Sequence, residues 1–551
     1  MPLPTNIVRA LYRKSDIPGY RDNPLIEALP PMLTMEQCKL ALKGTAPLPP
    51  KDALGDGRQR AHIVSSLLDD FFQPLGEHLQ LEERLSIMIR RGYVGRNLND
   101  GTLNTQLQNG YERVMQGDLN VYRFQQAEST ARSLSLIGCS GSGKTSTLNR
   151  ILATYPQAIY HEQYNFKQVT YLKVDCPHDG SLKSLCIQFF RALDRVLQTD
   201  FERRYTRKRH GIETLLALMS QTANACGVGV LVIDEIQHLS RHRSGGVEKM
   251  LNFFVTLVNT IGLPVVFVGT PKARPIFEMD LRSGRRGAGF GALLWEPMRA
   301  WTRESPGGRS ARSPEWVAFS NQLWKYQWLK KREEILSDEI RDCWYDLTQG
   351  VLDIVVKLFV LAQLRAIVTR SERITPKLLR TVYDDELKPV HPMLGALRSG
   401  DPQRIAEYSD LTLPGIDGRI LELSTAISQA AVELPEPLPY AGNEQAIRLH
   451  ELLVSMDCDP TRVVPLVEQA VLEHPALSFQ KLIPIVLEWY NDREEHTPRQ
   501  PTKRIPEKEW DALDPTDIRH VFAQGEDKSM HLRLSSCGYI FNVEGWMGKV
   551  G

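Results

Sequence analysis

Leu134-Ser-Leu-Ile-Gly-Cys-Ser-Gly-Ser-Gly-Lys-Thr145 is the stretch that decides the fold. Leu134 to Ile137 is a short apolar run, the pattern of a buried strand. Gly138 to Thr145 fits G-x-x-x-x-G-K-[ST] at every fixed position. Ser146 to Leu152 continues in helix-compatible residues. Strand, glycine-rich loop and helix in that order predict a phosphate-binding P-loop. Gly138, Gly141 and Gly143 let backbone N–H groups approach a phosphate without Cβ clashes. Cys139, Ser140 and Ser142 complete the loop, and Ser146 follows at the start of the helix. The helix N-terminus adds a dipole that favours negative charge. Lys144 is placed to reach β- and γ-phosphates, and Thr145 offers a hydroxyl to magnesium.

Downstream, Val228-Gly-Val-Leu-Val-Ile-Asp234-Glu235 is a β-branched run ending in two carboxylates. Open α/β sheets bind ligands beyond the C-terminal ends of their parallel strands, where this run delivers its acids. Asp234 is the candidate holder of the magnesium water shell. Glu235 is the candidate base, or the group that orients an attacking water. Two solvated acids capping a strand end are the plainer alternative. Around these motifs, Gln168 to Asp175 reads as one strand, with Ser181 to Leu197, Gly211 to Ala225 and Met250 to Ile261 as helices. Pro264-Val-Val-Phe-Val-Gly269-Thr270 is a fourth strand and Ala292-Leu-Leu-Trp295 a fifth. Thr270 stands where a polar group meets a γ-phosphate or its attacking water, or where a threonine simply ends a strand. Arg282, Arg285 and Arg286 precede Gly287-Ala-Gly-Phe-Gly291. Their planar forks suit the phosphoryl charge of a neighbouring subunit's nucleotide; a solvated basic helix end is the alternative.

At 551 residues the chain is too long for one core, which predicts about three or four domains. Hydrophobic residues make up 42% and charged residues 24%, the composition of a folded protein and not of a disordered one. Formal net charge is +1, so any nucleic-acid binding must come from a local basic face. Eight cysteines are scattered with no C-x-x-C pair, which points away from zinc and from a disulfide framework and fits a reducing cytoplasm. Met1-Pro-Leu-Pro-Thr-Asn has no signal-peptide pattern. The most apolar long run, Val351 to Val368, is broken by Asp353, Lys357, Gln363 and Arg365 and reads as a buried helix, with no membrane partner expected.

Residues 1–110 read as a helical N-terminal region, with helical spacing over Arg60 to Arg91 and a turn at Gly92-Tyr93-Val94-Gly95-Arg96-Asn97. Nucleotide folds often contact adenine at that point, but a plain turn is the reading the sequence favours. Residues 111–310 are the α/β core and 311–430 a helical lid, where Trp316, Phe319, Leu323, Trp324 and Trp328 have the pattern of a packed core. Residues 444–490 are a small helical module, and 491–551 a flexible linker and C-terminal tail. The densest basic run is Arg203-Arg-Tyr-Thr-Arg-Lys-Arg-His210, read as a loop. Arg203, Arg204, Arg207, Lys208 and Arg209 are candidate phosphate contacts, with Arg241 and Arg243 behind them, against the alternative of a solvated charged loop.

This order, with an arginine-bearing segment and then a lid, resembles the AAA+ ATPases. That class implies a five-stranded parallel sheet with helices on both faces, a helical lid, and ATP bound between core and lid and often between subunits. The match goes further at Tyr20-Arg-Asp-Asn-Pro24, Gly92-Tyr-Val-Gly-Arg-Asn97, Leu231-Val-Ile-Asp-Glu-Ile-Gln-His-Leu-Ser240, Gly269-Thr-Pro-Lys-Ala-Arg274, Arg285-Arg-Gly-Ala-Gly-Phe-Gly291 and Leu387-Lys-Pro-Val-His-Pro-Met393. With these strings the sequence resembles the TnsC family, AAA+ regulators of Tn-seven-type transposons, and more distantly the TniB and MuB transposition ATPases. The resemblance runs to about residue 410 and weakens beyond it. It implies ATP, Mg2+, sequence-independent binding of double-stranded DNA as a ring or filament, contact with a target-selection protein, and recruitment of transposase subunits in the bacterial cytoplasm. One departure is that the wider AAA+ pattern puts an arginine on the lid after Gln349-Gly350, where this chain offers Lys357. The alternative function is a P-loop signalling or scaffold ATPase that never touches DNA. Apart from Asp234-Glu235 no acidic cluster has a plausible strand setting, so DNA cutting and joining would fall to partners.

Overall fold

β-Branched and aromatic runs form eight strands among the described residues: β1 (Ile7–Arg9), β2 (Ser133–Ile137), β3 (Ala158–His161), β4 (Phe166–Val169), β5 (Tyr171–Asp175), β6 (Val230–Asp234), β7 (Val265–Gly269) and β8 (Ala292–Leu294). The computed structural model describes residues 7–492 except 51–54, 118–122, 124–130, 178, 207–209, 240–252, 255, 261, 274–290, 303–310, 412–414, 433–443, 457, 475–476 and 478, together with 510 and 520. Five strands make one sheet in the order β5-β6-β7-β2-β8, and every pairing is parallel. β6 and β7 are buried along their whole length, as continuous Val/Ile runs in a doubly covered sheet require.

Register lines up the functional ends. Ile137 lies opposite Gly269 and Leu294, and Asp175 opposite Asp234, so the P-loop and the acidic pair leave the same edge of the sheet. One face of the sheet, with Leu231, Ile233, Val265 and Phe267, is covered by the helices Leu182–Leu197 and Ile212–Ala225. The other face, with Leu134, Leu136, Val232 and Val266, is covered by Lys144–Leu152 and Gly76–Val94.

Three local expectations change. Gln168 to Asp175 is two strands, because the ladder breaks at Thr170. β4 turns into a second sheet, ordered β1-β3-β4, while β5 stays in the main one. Arg60 to Arg91 is two helices, Gly57–Asp70 and Gly76–Val94, parted around Pro74. The turn at Gly92 to Asn97 begins as the last helical turn, and its side chains point into the fold. The Tyr93 hydroxyl donates to Gly227 O at 2.8 Å, and Arg96 Nη1 donates to Val228 O at 2.7 Å. These contacts pin the helix to the entry of β6, the end of the strand opposite to Asp234.

The region after the sheet is helical, with Pro314–Trp324, Asp338–Thr348, Leu352–Val368, Pro376–Glu386, His391–Ser399, Pro402–Tyr408 and Ile416–Val432. Trp316, Trp324 and Trp328 are buried, and Trp344 stacks on Phe359. Helix Gly57–Asp70 joins this layer by packing on Leu352–Val368 and Ile416–Val432. Arg60 there makes a bidentate pair with Glu372, Nη1 to Oε2 at 2.7 Å and Nη2 to Oε1 at 2.8 Å. Among the described residues no helix is long and apolar enough to cross a membrane. Residues 1–436 form one compact unit and 437–551 a second. In the second, the helices Glu444–Ser455, Pro460–Glu473 and Phe479–Asp492 share a core that includes Leu449, Leu453, Val463, Val467 and Leu482.

Candidate functional site

The loop between β2 and its helix is shaped by two glycine requirements. Gly143 has φ +91°, a conformation open to glycine at no steric cost. At Gly138 a Cβ would lie 2.2 Å from Trp295 O, so only glycine lets the end of β8 approach. The loop is then tied from outside. Trp295 Nε1 donates to Ser142 O at 2.8 Å. The lid contributes the N–H of Asp353 to Gly141 O at 2.9 Å, and Ser409 O accepts the N–H of Ser140 at 2.7 Å.

Lys144 is buried, and its ammonium donates to Gly138 O and Cys139 O, both at 2.7 Å. Burial lowers its pKa and outweighs the opposing pull of Cys139, Glu235 and Asp234. The Cys139 thiol is pushed up to about 11 by its own burial, which makes it a packing residue and not a nucleophile. The Thr145 hydroxyl donates to Asp234 Oδ2 at 2.9 Å, so residues far apart in sequence meet in one pair. Asp234 Oδ1 accepts the N–H of Glu235 at 2.9 Å. Glu235 is in the left-handed region at φ +55°, a sharp exit from the strand that leaves its carboxylate half exposed.

These groups line a cavity of about 530 Å³, within the usual range for a small-molecule site. Lys144, Thr145, Ser146, Asp234, Glu235 and Thr270 form its polar wall. Leu68, Phe72, Leu352 and Val356 form an apolar wall that the N-terminal helices and the lid supply together. Phe72 lies under the Arg150 guanidinium at 4.7 Å. Thr270 is buried, and its hydroxyl oxygen has no hydrogen-bond partner among the described residues. An orphaned hydroxyl, a Thr–Asp pair and a buried ammonium under a glycine loop fit a nucleotide triphosphate with magnesium. Among the described residues no cluster of three His, Cys, Asp or Glu stands ready to hold a metal alone. Magnesium takes few protein ligands and keeps water and phosphate oxygens.

A family model described as "AAA domain" matches residues 126–277, and one described as "Tn7 transposition regulator TnsC" matches residues 505–550. The chain is thus similar to AAA domains over the first stretch and to the TnsC transposition regulator over the second. Solved structures similar to it include Drosophila ORC bound to DNA (15% identity, 71% of this chain and 88% of that one, TM-score 0.32). Cdc6p from Pyrobaculum aerophilum (13%, 62% and 98%, 0.29) and a Thermotoga maritima RuvB mutant (14%, 58% and 88%, 0.27) are others. No curated protein matches the chain significantly.

The site also draws on residues with no motif to announce them. Gln237 Nε2 donates to Glu235 Oε2, and Gln237 Oε1 accepts the N–H of Thr270 at 3.1 Å, so one amide joins the acidic strand to β7. Phe72 and Asp353 come from segments remote in sequence, and only packing brings them to the P-loop. Lys357, the cation expected from the lid, is bound at 2.6 Å to Asp353 Oδ2. Phe319, Leu352, Asp353 and Val356, not Lys357, are the described lid residues that line the cavity.

Part of the basic run is a helix, Phe201–Thr206, and not a loop. Arg203 and Arg204 are exposed on it, while Tyr205 is half-buried against Phe190 and Phe201 and anchors it. Arg207, Lys208 and Arg209, the pair Arg241 and Arg243, and Arg282, Arg285 and Arg286 lie outside the described residues.

Proposed function

We propose that this transposition-regulating AAA+ ATPase binds ATP with Mg2+, assembles on double-stranded DNA without reading sequence, and links a target-selection protein to the transposase. The observation that carries this reading is the coexistence on one chain of an AAA match over 126–277 and a TnsC-regulator match over 505–550. The site geometry supports the ATP half. Loop N–H groups and the Lys144 ammonium bind and orient the phosphates. Thr145 and Asp234 would hold magnesium, which would supply charge neutralisation to the phosphates. Glu235, steadied by Gln237, orients the attacking water and takes its proton. Thr270 offers its free hydroxyl to the γ-phosphate or that water. Arg282, Arg285 and Arg286 remain the proposed source of a finger for a neighbouring subunit.

Arg203 and Arg204, with the basic residues that follow, are the proposed phosphate contacts. Residues 1–110 are proposed to meet the target selector, 111–310 to form the ATPase core, 311–430 the lid, 444–490 a small helical module, and 491–551 a linker and partner-binding tail. The DNA reading is tested by filter binding of random duplex DNA with a non-hydrolysable ATP analogue, with ADP and without nucleotide. Binding is expected with the analogue, steeply weakened by salt. Equal retention in all three conditions, or none at low salt, removes the DNA switch and leaves a protein-assembling ATPase.

A further inference from the structure

Lys173 belongs to none of the motifs that mark the site, yet its ammonium reaches into it. Its Nζ lies 3.2 Å from Asp234 Oδ2 and donates to Asn149 Oδ1 at 3.2 Å. Asn149 sits on the helix that follows the P-loop, and Lys173 projects from β5, the neighbour of the acidic strand. The lysine therefore links Asp234 to the helix that carries Thr145. Its side chain is 25% exposed, against 5% for Asp234.

Asp234 keeps its orientation without this lysine. Oδ1 is held by the N–H of Glu235 and Oδ2 by the Thr145 hydroxyl, both at 2.9 Å. What Lys173 adds is positive charge on the oxygen that Thr145 also touches. A buried carboxylate is costly without a counter-charge. A divalent cation held by Thr145 and Asp234 would bring two positive charges to the carboxylate that the ammonium already contacts, in a poorly screened site. The two cations compete for one carboxylate.

We propose that Lys173 is the resident counter-cation of the magnesium site, a positioning residue that sets how much magnesium is needed to lock the nucleotide in. The proposal rests on Thr145 and Asp234 being the magnesium-holding pair. It makes Lys173 a brake on metal loading. A lysine that merely propped Asp234 in place would act in the opposite sense, because its loss would loosen the carboxylate and weaken metal binding.

The test is equilibrium binding of a fluorescent, non-hydrolysable ATP analogue across a magnesium titration, which needs no turnover. In K173M the half-saturating magnesium concentration is expected to fall by about tenfold, the order that removing one like charge from a partly buried site produces. K173R, which keeps the charge, is expected to stay with the parent. K173Q keeps a polar partner for Asn149, is expected to follow K173M, and covers the case in which the methionine variant folds poorly. An unchanged or raised half-saturation in the neutral variants overturns the proposal. A parent whose nucleotide binding ignores magnesium overturns the magnesium reading itself. A magnesium-dependent parent with unshifted neutral variants overturns only the role of Lys173.

Discussion

Lys144 and Glu235 divide binding from turnover. Lys144 is the buried cation of the glycine loop, so Lys144→Ala is expected to abolish nucleotide binding, read by the fluorescence of a bound analogue. Glu235 lines the cavity but takes no part in the loop's own hydrogen bonding. Glu235→Gln is expected to keep nucleotide affinity and to slow phosphate release by about two orders of magnitude or more, in the range of losing a general base. His78 shows a pH dependence at the same scale. It stacks on Trp295 at 5.5 Å, its Nδ1 accepts the N–H of Leu75 at 3.1 Å, and burial pulls its pKa down to about 4. The unfolded chain takes up the proton near pH 6.5 and the folded one only near pH 4. Stability is thus full above about pH 6.5 and falls as pH drops towards 4, by roughly 3 kcal/mol from this one group. His78→Gln keeps the capping contact and removes the titration. The thermal midpoint of the parent is expected to fall relative to the variant between pH 7 and pH 4. A constant difference would show that His78 protonates freely in the fold.

The segment from Gly57 to Gln73 behaves as a strap between lid and site. Arg60 anchors one end through Glu372 and Trp328 O, and Leu68 and Phe72 at the other end wall the nucleotide cavity. Removing one partner of a buried ion pair leaves the other uncompensated, at about 3–5 kcal/mol. Arg60→Ala is therefore expected to lower the thermal midpoint markedly and to weaken nucleotide binding, although the residue touches no nucleotide; calorimetry and analogue titration read the two effects. The lid is set by a similar restriction. Gly350 has φ +69°, and a Cβ there would lie 1.9 Å from Met298 O, so the helix that delivers Asp353 to the P-loop depends on that glycine. The Gly92 to Asn97 string carries a strong sequence signal, but its buried Tyr93 and Arg96 bind the backbone at the entry of β6. Those two contacts fix helix to sheet.

At the scale of the molecule, every described residue of the nucleotide site lies in the unit 1–436. A chain ending at residue 436 is expected to bind the fluorescent ATP analogue as the full chain does, while the TnsC-matching segment 505–550 is lost with the second unit. Stimulation of transposase by the truncated chain would remove the second unit from partner contact, and loss of nucleotide affinity would mean that the first unit is not self-sufficient.

The sequence by itself determined the P-loop, the acidic strand, the parallel α/β plan and the TnsC likeness. Each is a local pattern, in which a phosphate cradle needs glycines at fixed spacing and a doubly covered strand needs an unbroken apolar run. It also showed the aromatic stripe of Trp316 to Trp328 as core, because helical spacing alone reveals a buried face. Only the tertiary structure decided that Thr170 parts two strands, that Gln237 joins Glu235 to Thr270, that Asp353 and Ser409 hold the loop from the lid, and that Lys173 shares Asp234 with Thr145. Those contacts join residues far apart along the chain or on different strands. No local spacing encodes them, since they arise when the cores on the two faces of the sheet and the lid close on one another.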